Sequence, residues 1–117
     1  MSTVLIIDDS TFQRNRLRTT LQEGGYQTLE AGTAEEGLVI IESANPDAVL
    51  CDLLMPGMGG LELLRMLQEK SSEVPIVIVT ADIQDTVREE CMRLGAKGFL
   101  TKPPQTAELL AALAAVL

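Results

Sequence analysis

Short apolar runs alternate along the chain with stretches in which apolar residues recur at helical spacing. The runs at 48–51 and 76–79 are apolar throughout and too short for helices, so they predict strands buried on both faces. The stretch at 26–31 is weaker, because Gln27 and Glu30 interrupt it, and it indicates an edge strand. The predicted strands are residues 4–7, 26–31, 48–51, 76–79 and 99–101.

The segments between these strands carry helix start signals. Ser10 and Thr33 each stand three residues before a Gln or Glu, the spacing of a capping box, and predict helices over 11–23 and 34–43. The third helix is predicted to open at 59–60, the fourth after an Asp82 cap, and the fifth at 105 or 106. The side chains expected to face inward are Leu17, Leu21, Ala34, Leu38, Ile41, Leu61, Leu64, Leu67, Ile83, Val87, Cys91 and Leu94.

Strand and helix thus alternate five times within 117 residues. This alternation predicts an α/β fold, in which a five-stranded parallel sheet is doubly wound by helices on both faces through right-handed crossovers. The length suits one domain, residues 1–117, with one modest core.

Polar side chains stand immediately after four of the five predicted strands. Asp8 and Asp9 follow the first strand, and Asp52 follows the third. Thr80 and Lys102 follow the fourth and the fifth. Because the carboxyl ends of parallel strands lie at one edge of the sheet, we expect these residues to share a pocket.

Three carboxylates in one pocket repel one another unless a cation lies among them. Oxygen ligands without His or Cys suit a hard divalent ion such as Mg²⁺, or Mn²⁺ in its place, and such an ion attracts a phosphoryl group. Asp52 is then placed as the nucleophile that becomes an aspartyl phosphate. Lys102 can neutralise phosphate oxygens, and the Thr80 hydroxyl can donate to one of them.

Each of these residues also has an ordinary structural interpretation. Asp8 and Asp9 suit a helix N-terminus, where acids are favoured. Thr80 suits the end of a β-branched strand, and Lys102 suits solvent. Asp52 is harder to explain in this way, because an acid directly after a buried run loses hydration unless it is paired. The combination favours one phosphoryl-transfer site.

The amino-acid composition excludes several classes of partner, catalytic site and metal site. The formal net charge of -8 argues against nucleic acid or an anionic membrane as a direct partner. The absence of His excludes His-based triads and His-ligated metals. Cys51 and Cys91 lack CxxC spacing and are expected to be reduced and buried, as in a cytoplasmic protein. No apolar run approaches the roughly 18 residues of a membrane span, and the first residues do not resemble a signal peptide.

With these residues in view, the chain resembles the receiver domain of bacterial two-component response regulators over essentially its whole length. The match to the chemotaxis-regulator type of receiver rests on several motifs together, since any one of them alone would be weak. These are Asp8-Asp9, Asp52 as the phosphoacceptor, the loop 55–60 (MPGMGG), Thr80-Ala81, Gly95-Ala96 and Lys102-Pro103.

The resemblance implies a flavodoxin-like fold with strand order 2-1-3-4-5 and five helices. It implies that Asp9, Asp52 and the backbone carbonyl of Leu54 bind Mg²⁺ directly, with Asp8 acting mostly through water. It also implies a cis peptide bond between Lys102 and the following proline.

The resemblance further implies a switch. Phosphate on Asp52 would draw Thr80 inward, and Phe99 would move into the vacated space, so that the face formed by helix four, strand five and helix five binds a partner differently. Leu54 and Asp82 depart from common family residues beside the path of the hydrolytic water, and we expect them to modulate the lifetime of the phosphate.

The implied partners are a sensor histidine kinase or a histidine phosphotransfer protein, and an output protein or a missing output domain. A homodimer through helices four and five is possible. Two other functions fit an aspartyl phosphate or this fold: a phosphatase of the haloacid-dehalogenase kind, and a constitutive interaction domain with a residual site. The adjacent acids at 8–9 disfavour the phosphatase, which uses Asp-x-Asp, and the complete residue set disfavours the constitutive domain.

Overall fold

The computed structural model describes residues 1–117 and contains five strands that alternate with five helices. The strands are β1 (Thr3–Ile7), β2 (Gln27–Ala31), β3 (Ala48–Cys51), β4 (Ile76–Thr80) and β5 (Gly98–Thr101). The helices are α1 (Thr11–Glu23), α2 (Ala34–Ala44), α3 (Gly60–Glu69), α4 (Asp85–Arg93) and α5 (Thr106–Val116). None of these helices combines the length and the apolar character that crossing a bilayer requires.

The strands pair in parallel in the order β2-β1-β3-β4-β5. The predicted parallel sheet, the flavodoxin-like order implied by the resemblance, and the edge position of β2 are therefore confirmed. The central strands β1 and β3 are adjacent, with Ile7 opposite Cys51. Consequently the residues that follow these two strands begin side by side.

Alternate residues of the strands supply two separate cores. Leu5 and Ile7 of β1 face α2, α3 and α4, where the buried Leu63, Leu64 and Cys91 lie. On the opposite face, β1 packs against α1 and α5 through Leu17, Leu21, Leu109 and Leu113, which are buried together with Val4 and Ile6. Burial on both faces explains why the central strands read as continuous apolar runs.

The two N-caps that were predicted from capping boxes form, but neither capping box is reciprocal. The Ser10 hydroxyl accepts from the N–H of Gln13 at 3.2 Å, and the Thr33 hydroxyl accepts from the N–H of Glu36 at 3.1 Å. The Glu36 carboxylate accepts from Gly32 rather than from Thr33. The Ser10 N–H donates to Asp8 instead of Gln13, which ties the start of α1 to an acid of the candidate site.

The prediction that Asp82 caps α4 is wrong. Its Oδ1 accepts from the Gln84 N–H at 3.0 Å, closing a turn of the chain before the helix begins. Gln84 occupies the N-cap position without a side-chain cap, and Ile83, predicted to face inward, is 73% exposed in the turn. Cys91 and Leu94 are buried as predicted, and Val87 is half-buried against the same core.

Two other predicted core positions are also only half-buried, namely Leu38 and Leu61. In α2, the fully buried position beside Leu38 is Gly37, where a Cβ would come within 2.3 Å of Ile7 Cδ1. In α3, Leu63 is buried instead of Leu61. Because Gly37 lets α2 approach β1 closely, the inward face of α2 includes position 37. Apolar spacing indicates position 38 instead.

Candidate functional site

The hydrogen bonding of the sheet continues past the strand ends and so positions the candidate site. The Asp8 N–H donates to the last carbonyl of β2 at 3.1 Å, and the Asp52 N–H donates to the last carbonyl of β1 at 3.0 Å. On the other flank, the Lys102 N–H donates to the Thr80 carbonyl at 2.8 Å. Residues that lie 22 to 94 positions apart are therefore held at one edge by the backbone.

Lys102 joins the two buried acids. Its Nζ donates to Asp8 Oδ2 at 2.6 Å and to Asp52 Oδ2 at 2.9 Å. Burial alone would lower the pKa of Lys102, but the hydrogen bonds and charges of Asp8 and Asp52 outweigh it, so that its pKa is raised. The lysine is consequently an ammonium that offsets part of the negative charge. The peptide bond after Lys102 is cis, as the resemblance implies.

The second oxygen of each buried acid is held by the loop that follows it. Asp8 Oδ1 accepts from the Ser10 N–H at 2.9 Å. Asp52 Oδ1 accepts from the Leu53 N–H at 2.7 Å and the Leu54 N–H at 3.3 Å. Asp52 is thus fixed through one oxygen, while its other oxygen meets only the lysine.

Asp9 completes the acidic group and differs from the other two acids, because it is exposed and its carboxylate has no hydrogen-bond partner. One oxygen each of Asp8, Asp9 and Asp52 lie within 4.8 Å of one another. Three carboxylates without His suit a hard divalent cation such as Mg²⁺. Burial, reinforced by the charges of Asp52 and Asp8, raises the pKa of the adjacent Cys51 thiol. The donor set fits the implied cation.

Thr80 and Phe99 lie near this edge but are not bonded to the acids. The fully buried Thr80 hydroxyl accepts from the Asp82 N–H at 3.3 Å, and no hydrogen bond joins it to Asp52. Phe99 is half-buried against the core that contains α4. Leu54 is 65% exposed beside Asp52, and Asp82 is half-buried. The structure therefore holds the two predicted switch residues on the β4–β5 flank, apart from the Lys102 contacts.

Two functional contacts escaped sequence reasoning. Arg14 Nη1 donates to the backbone carbonyl of Asp8 at 2.5 Å. At Gly60, a Cβ would lie 2.5 Å from the Asp52 carbonyl oxygen, so this glycine permits α3 to approach the loop that follows Asp52. The Gly59-Gly60 pair was a visible signal for the second contact, whereas nothing in the sequence marks the first.

A five-stranded parallel sheet with an acidic group and a lysine at its carboxyl edge is the arrangement that the sequence resemblance implies for the class of receiver domains. The family model described as the response regulator receiver domain matches residues 4–114. The chain belongs to this family, whose members are signalling switches of two-component systems rather than enzymes that turn over a substrate.

Individual relatives agree with this assignment. Protein PilH of Pseudomonas aeruginosa is 36% identical over an alignment of 119 positions, which covers 100% of this chain and 98% of that protein. The phosphate regulon transcriptional regulatory protein PhoB of the same species is 35% identical, but this chain covers only 51% of it. The chain therefore spans nearly all of PilH and about half the length of PhoB.

Solved structures show the same fold. The Vibrio cholerae chemotaxis protein CheY4 superposes with a TM-score of 0.92 at 33% identity, covering 100% of this chain and 99% of that one. The receiver domain of the Francisella response regulator 1452 superposes with a TM-score of 0.94 at 28% identity, covering 99% and 96% of the two chains.

Proposed function

We propose that residues 1–117 form a single receiver domain that acts as a phosphorylation-activated switch with Asp52 as its phosphoacceptor. One observation carries the proposal: Lys102 Nζ contacts both Asp8 and Asp52, which brings the acids and the lysine of the predicted site around one gap. A structural ion pair alone would not require the third, unpaired acid at Asp9.

In the proposed reaction, Asp52 Oδ2 attacks the phosphorus of a phosphohistidine. The new O–P bond forms as the P–N bond breaks, and the electron pair of that bond goes to the imidazole that leaves. Lys102 offsets the charge on the transferred oxygens. The contacts of Leu53 and Leu54 to Asp52 Oδ1 keep the carboxylate in the required orientation.

A divalent cation, Mg²⁺ or Mn²⁺, would supply further positive charge to those oxygens when bound. We assign its ligands to Asp9, Asp52 and the Leu54 carbonyl, with Asp8 acting mostly through water. Hydrolysis reverses the state of the switch: water attacks phosphorus, the O–P bond to Asp52 breaks, and inorganic phosphate leaves. Leu54 and Asp82 are proposed to set the rate of this step.

The proposed output is a change in binding. In this structure the Thr80 hydroxyl accepts a hydrogen bond from the backbone N–H of Asp82 and makes none with the acids of the site. A phosphoryl group on Asp52 would therefore offer this hydroxyl a new partner. Movement of Thr80 would give Phe99 room to turn inward and alter the face formed by α4, β5 and α5. Such a ligand-biased pair of states is sufficient for signalling.

The proposed phosphodonor is a sensor histidine kinase or a histidine phosphotransfer protein in the cytoplasm. The proposed receptor of the signal is an output protein, or an output domain outside this sequence, with a homodimer through α4 and α5 as one form of the active state. Neither nucleic acid nor a membrane is proposed as a direct partner, because the chain carries a net charge of -8.

The test is phosphorylation by acetyl phosphate with Mg²⁺, followed by intact mass and peptide mapping. We expect one added phosphoryl group on Asp52 and none in Asp52→Asn, with Asp47→Asn, an exposed acid at the opposite edge, as the matched control. Beryllofluoride should shift the NMR signals around Phe99. An unmodified, unresponsive wild-type protein would favour a constitutive interaction domain, and repeated turnover of small phosphoesters would favour a phosphatase.

A further inference from the structure

The position of the Asp9 carboxylate depends on the backbone that carries it. Asp8 and Asp52 are held by the lysine and by peptide N–H groups, whereas the Asp9 side chain has no hydrogen bond and is exposed. Its carboxylate nevertheless lies within 4.8 Å of those of the other two acids. A contact to the backbone must therefore orient the Asp9 carboxylate toward the other two acids.

Arg14 provides that contact. The peptide group between Asp8 and Asp9 is planar, and its carbonyl oxygen accepts from Arg14 Nη1 at 2.5 Å. The preceding peptide is held by the sheet, since the Asp8 N–H donates to Ala31. With both peptides fixed, the direction in which the backbone enters Asp9 is also fixed.

The guanidinium of Arg14 is itself rigidly placed. Its Nη2 donates to the Thr11 hydroxyl at 3.3 Å, and its Nε lies 3.4 Å from Glu30 Oε1 on β2. The side chain is only 18% exposed. A planar fork with several donors can satisfy these partners together, which a lysine cannot do.

We propose that Arg14 is a positioning residue for the acidic pair, which orients Asp9 toward the cation site by holding the Asp8 carbonyl. The proposal rests on the proposed function, because it concerns the same cation. It goes beyond the residues that the family motifs mark, since Arg14 contacts no carboxylate of the site and acts only through the peptide bond.

Electrostatics alone predicts the opposite effect on substitution. Removing a positive charge near a cation site should strengthen Mg²⁺ binding, whereas losing the orientation of Asp9 should weaken it. Partners that orient a metal ligand typically contribute about 10- to 100-fold to affinity. We expect Arg14→Met to weaken Mg²⁺ binding about 10-fold, at the low end because Asp9 is exposed. Arg14→Lys should show most of the same loss, because it keeps the charge without the fork.

The matched control is Arg18→Met. Arg18 also pairs with Glu30, at 3.0 Å, but does not contact Asp8. Calorimetric titration with Mg²⁺ should therefore give Arg18→Met an affinity within about twofold of the wild type, and thermal unfolding should show that both variants remain folded. With acetyl phosphate, Arg14→Met should need more Mg²⁺ for half-maximal rate and approach the wild-type rate at saturation.

A double-mutant cycle tests whether Arg14 acts through Asp9. In an Asp9→Asn background, Arg14→Met should change Mg²⁺ affinity by no more than about twofold. An equal loss in both backgrounds, or tighter Mg²⁺ binding by Arg14→Met, would overturn the proposal.

A readout without metal separates this proposal from the proposed function. In the apo protein, Arg14→Met should shift the amide resonances of Asp9 and Ser10 and speed their hydrogen exchange, while Arg18→Met should not. Unchanged amides in Arg14→Met would refute the positioning role even if Asp52 is phosphorylated normally. Conversely, shifted amides in a protein that takes no phosphoryl group would contradict only the proposed function.

Discussion

Replacing Lys102 by Met should destabilise the protein by leaving two buried acids without their counter-charge. The side chains of Asp8 and Asp52 are 2% and 10% exposed, and both depend on the same ammonium. Removing one partner from a buried ion pair costs about 3 to 5 kcal/mol. We expect a loss of about 3 kcal/mol at pH 7, because the exposed Asp9 lets water reach the site.

This loss is large against the 5 to 15 kcal/mol that typically separates folded from unfolded domains. With a urea m-value of about 1.5 kcal/mol/M, a loss of about 3 kcal/mol lowers the unfolding midpoint by about 2 M. Urea titration followed by circular dichroism at pH 7 measures the change. Lys97→Met is the control, since Lys97 is exposed and forms no ion pair.

A second measurement separates charge from packing. The loss should shrink in an Asp52→Asn background, because one of the two buried charges that Lys102 offsets is then absent. A Lys102→Met protein whose free energy of unfolding lies within about 0.5 kcal/mol of the wild-type value would refute the reasoning. Effects that small are expected only for substitutions away from charged or buried contacts. A loss that is equally large in the Asp52→Asn background would also refute it, because such a loss would reflect packing of the lysine stem alone.

Two other perturbations follow from the same structure. Burial raises the pKa of the Cys51 thiol, so the folded state keeps the thiol proton at pH values where the unfolded chain loses it. The contribution of this thiol to the free energy of unfolding is therefore full below about pH 9. Above that pH it falls by about 1.4 kcal/mol per pH unit. Cys51→Ala should flatten that alkaline decline in urea titrations between pH 9 and 10.5, and an unchanged slope would contradict the assignment. Gly60→Ala, a change that usually favours helix, should instead destabilise by about 2 kcal/mol, because its Cβ would overlap the Asp52 carbonyl oxygen. A stability equal to or above the wild-type value would show that the loop yields easily.

The sheet and the convergence of its strand ends were predictable because both follow from topology. Alternating strands and helices lead to a parallel sheet, and a parallel sheet places Asp8 beside Asp52 wherever β1 and β3 are neighbours. The order of the strands came from the resemblance rather than from the pattern, because apolar runs do not say which strands are adjacent. Lys102 likewise reaches the acids only because β5 and β4 extend the sheet on that side.

The start of α4 could not be predicted, because an N-cap and an Asx turn use the same local chemistry. In both, an Asp oxygen accepts an N–H from two or three residues ahead. Asp82 accepts from Gln84, and Gln84 then takes the N-cap position in an extended conformation, so that the helix begins at Asp85. Arg14 was missed for a different reason: its partner is a backbone carbonyl, and carbonyls leave no mark on the sequence.

The packing of α4 bears on how a change at Asp52 could reach a partner. Within the helix only Cys91 is fully buried, whereas α3 buries four residues and α2 three. Elements with few buried contacts lie at the low-stability end of a fold, and moving elements are drawn from that end. Cys91 packs in the same core as Cys51, the residue before the proposed phosphoacceptor. The helix with the fewest buried residues thus shares a core with the strand that precedes Asp52, so a small shift there needs to displace few contacts to move α4.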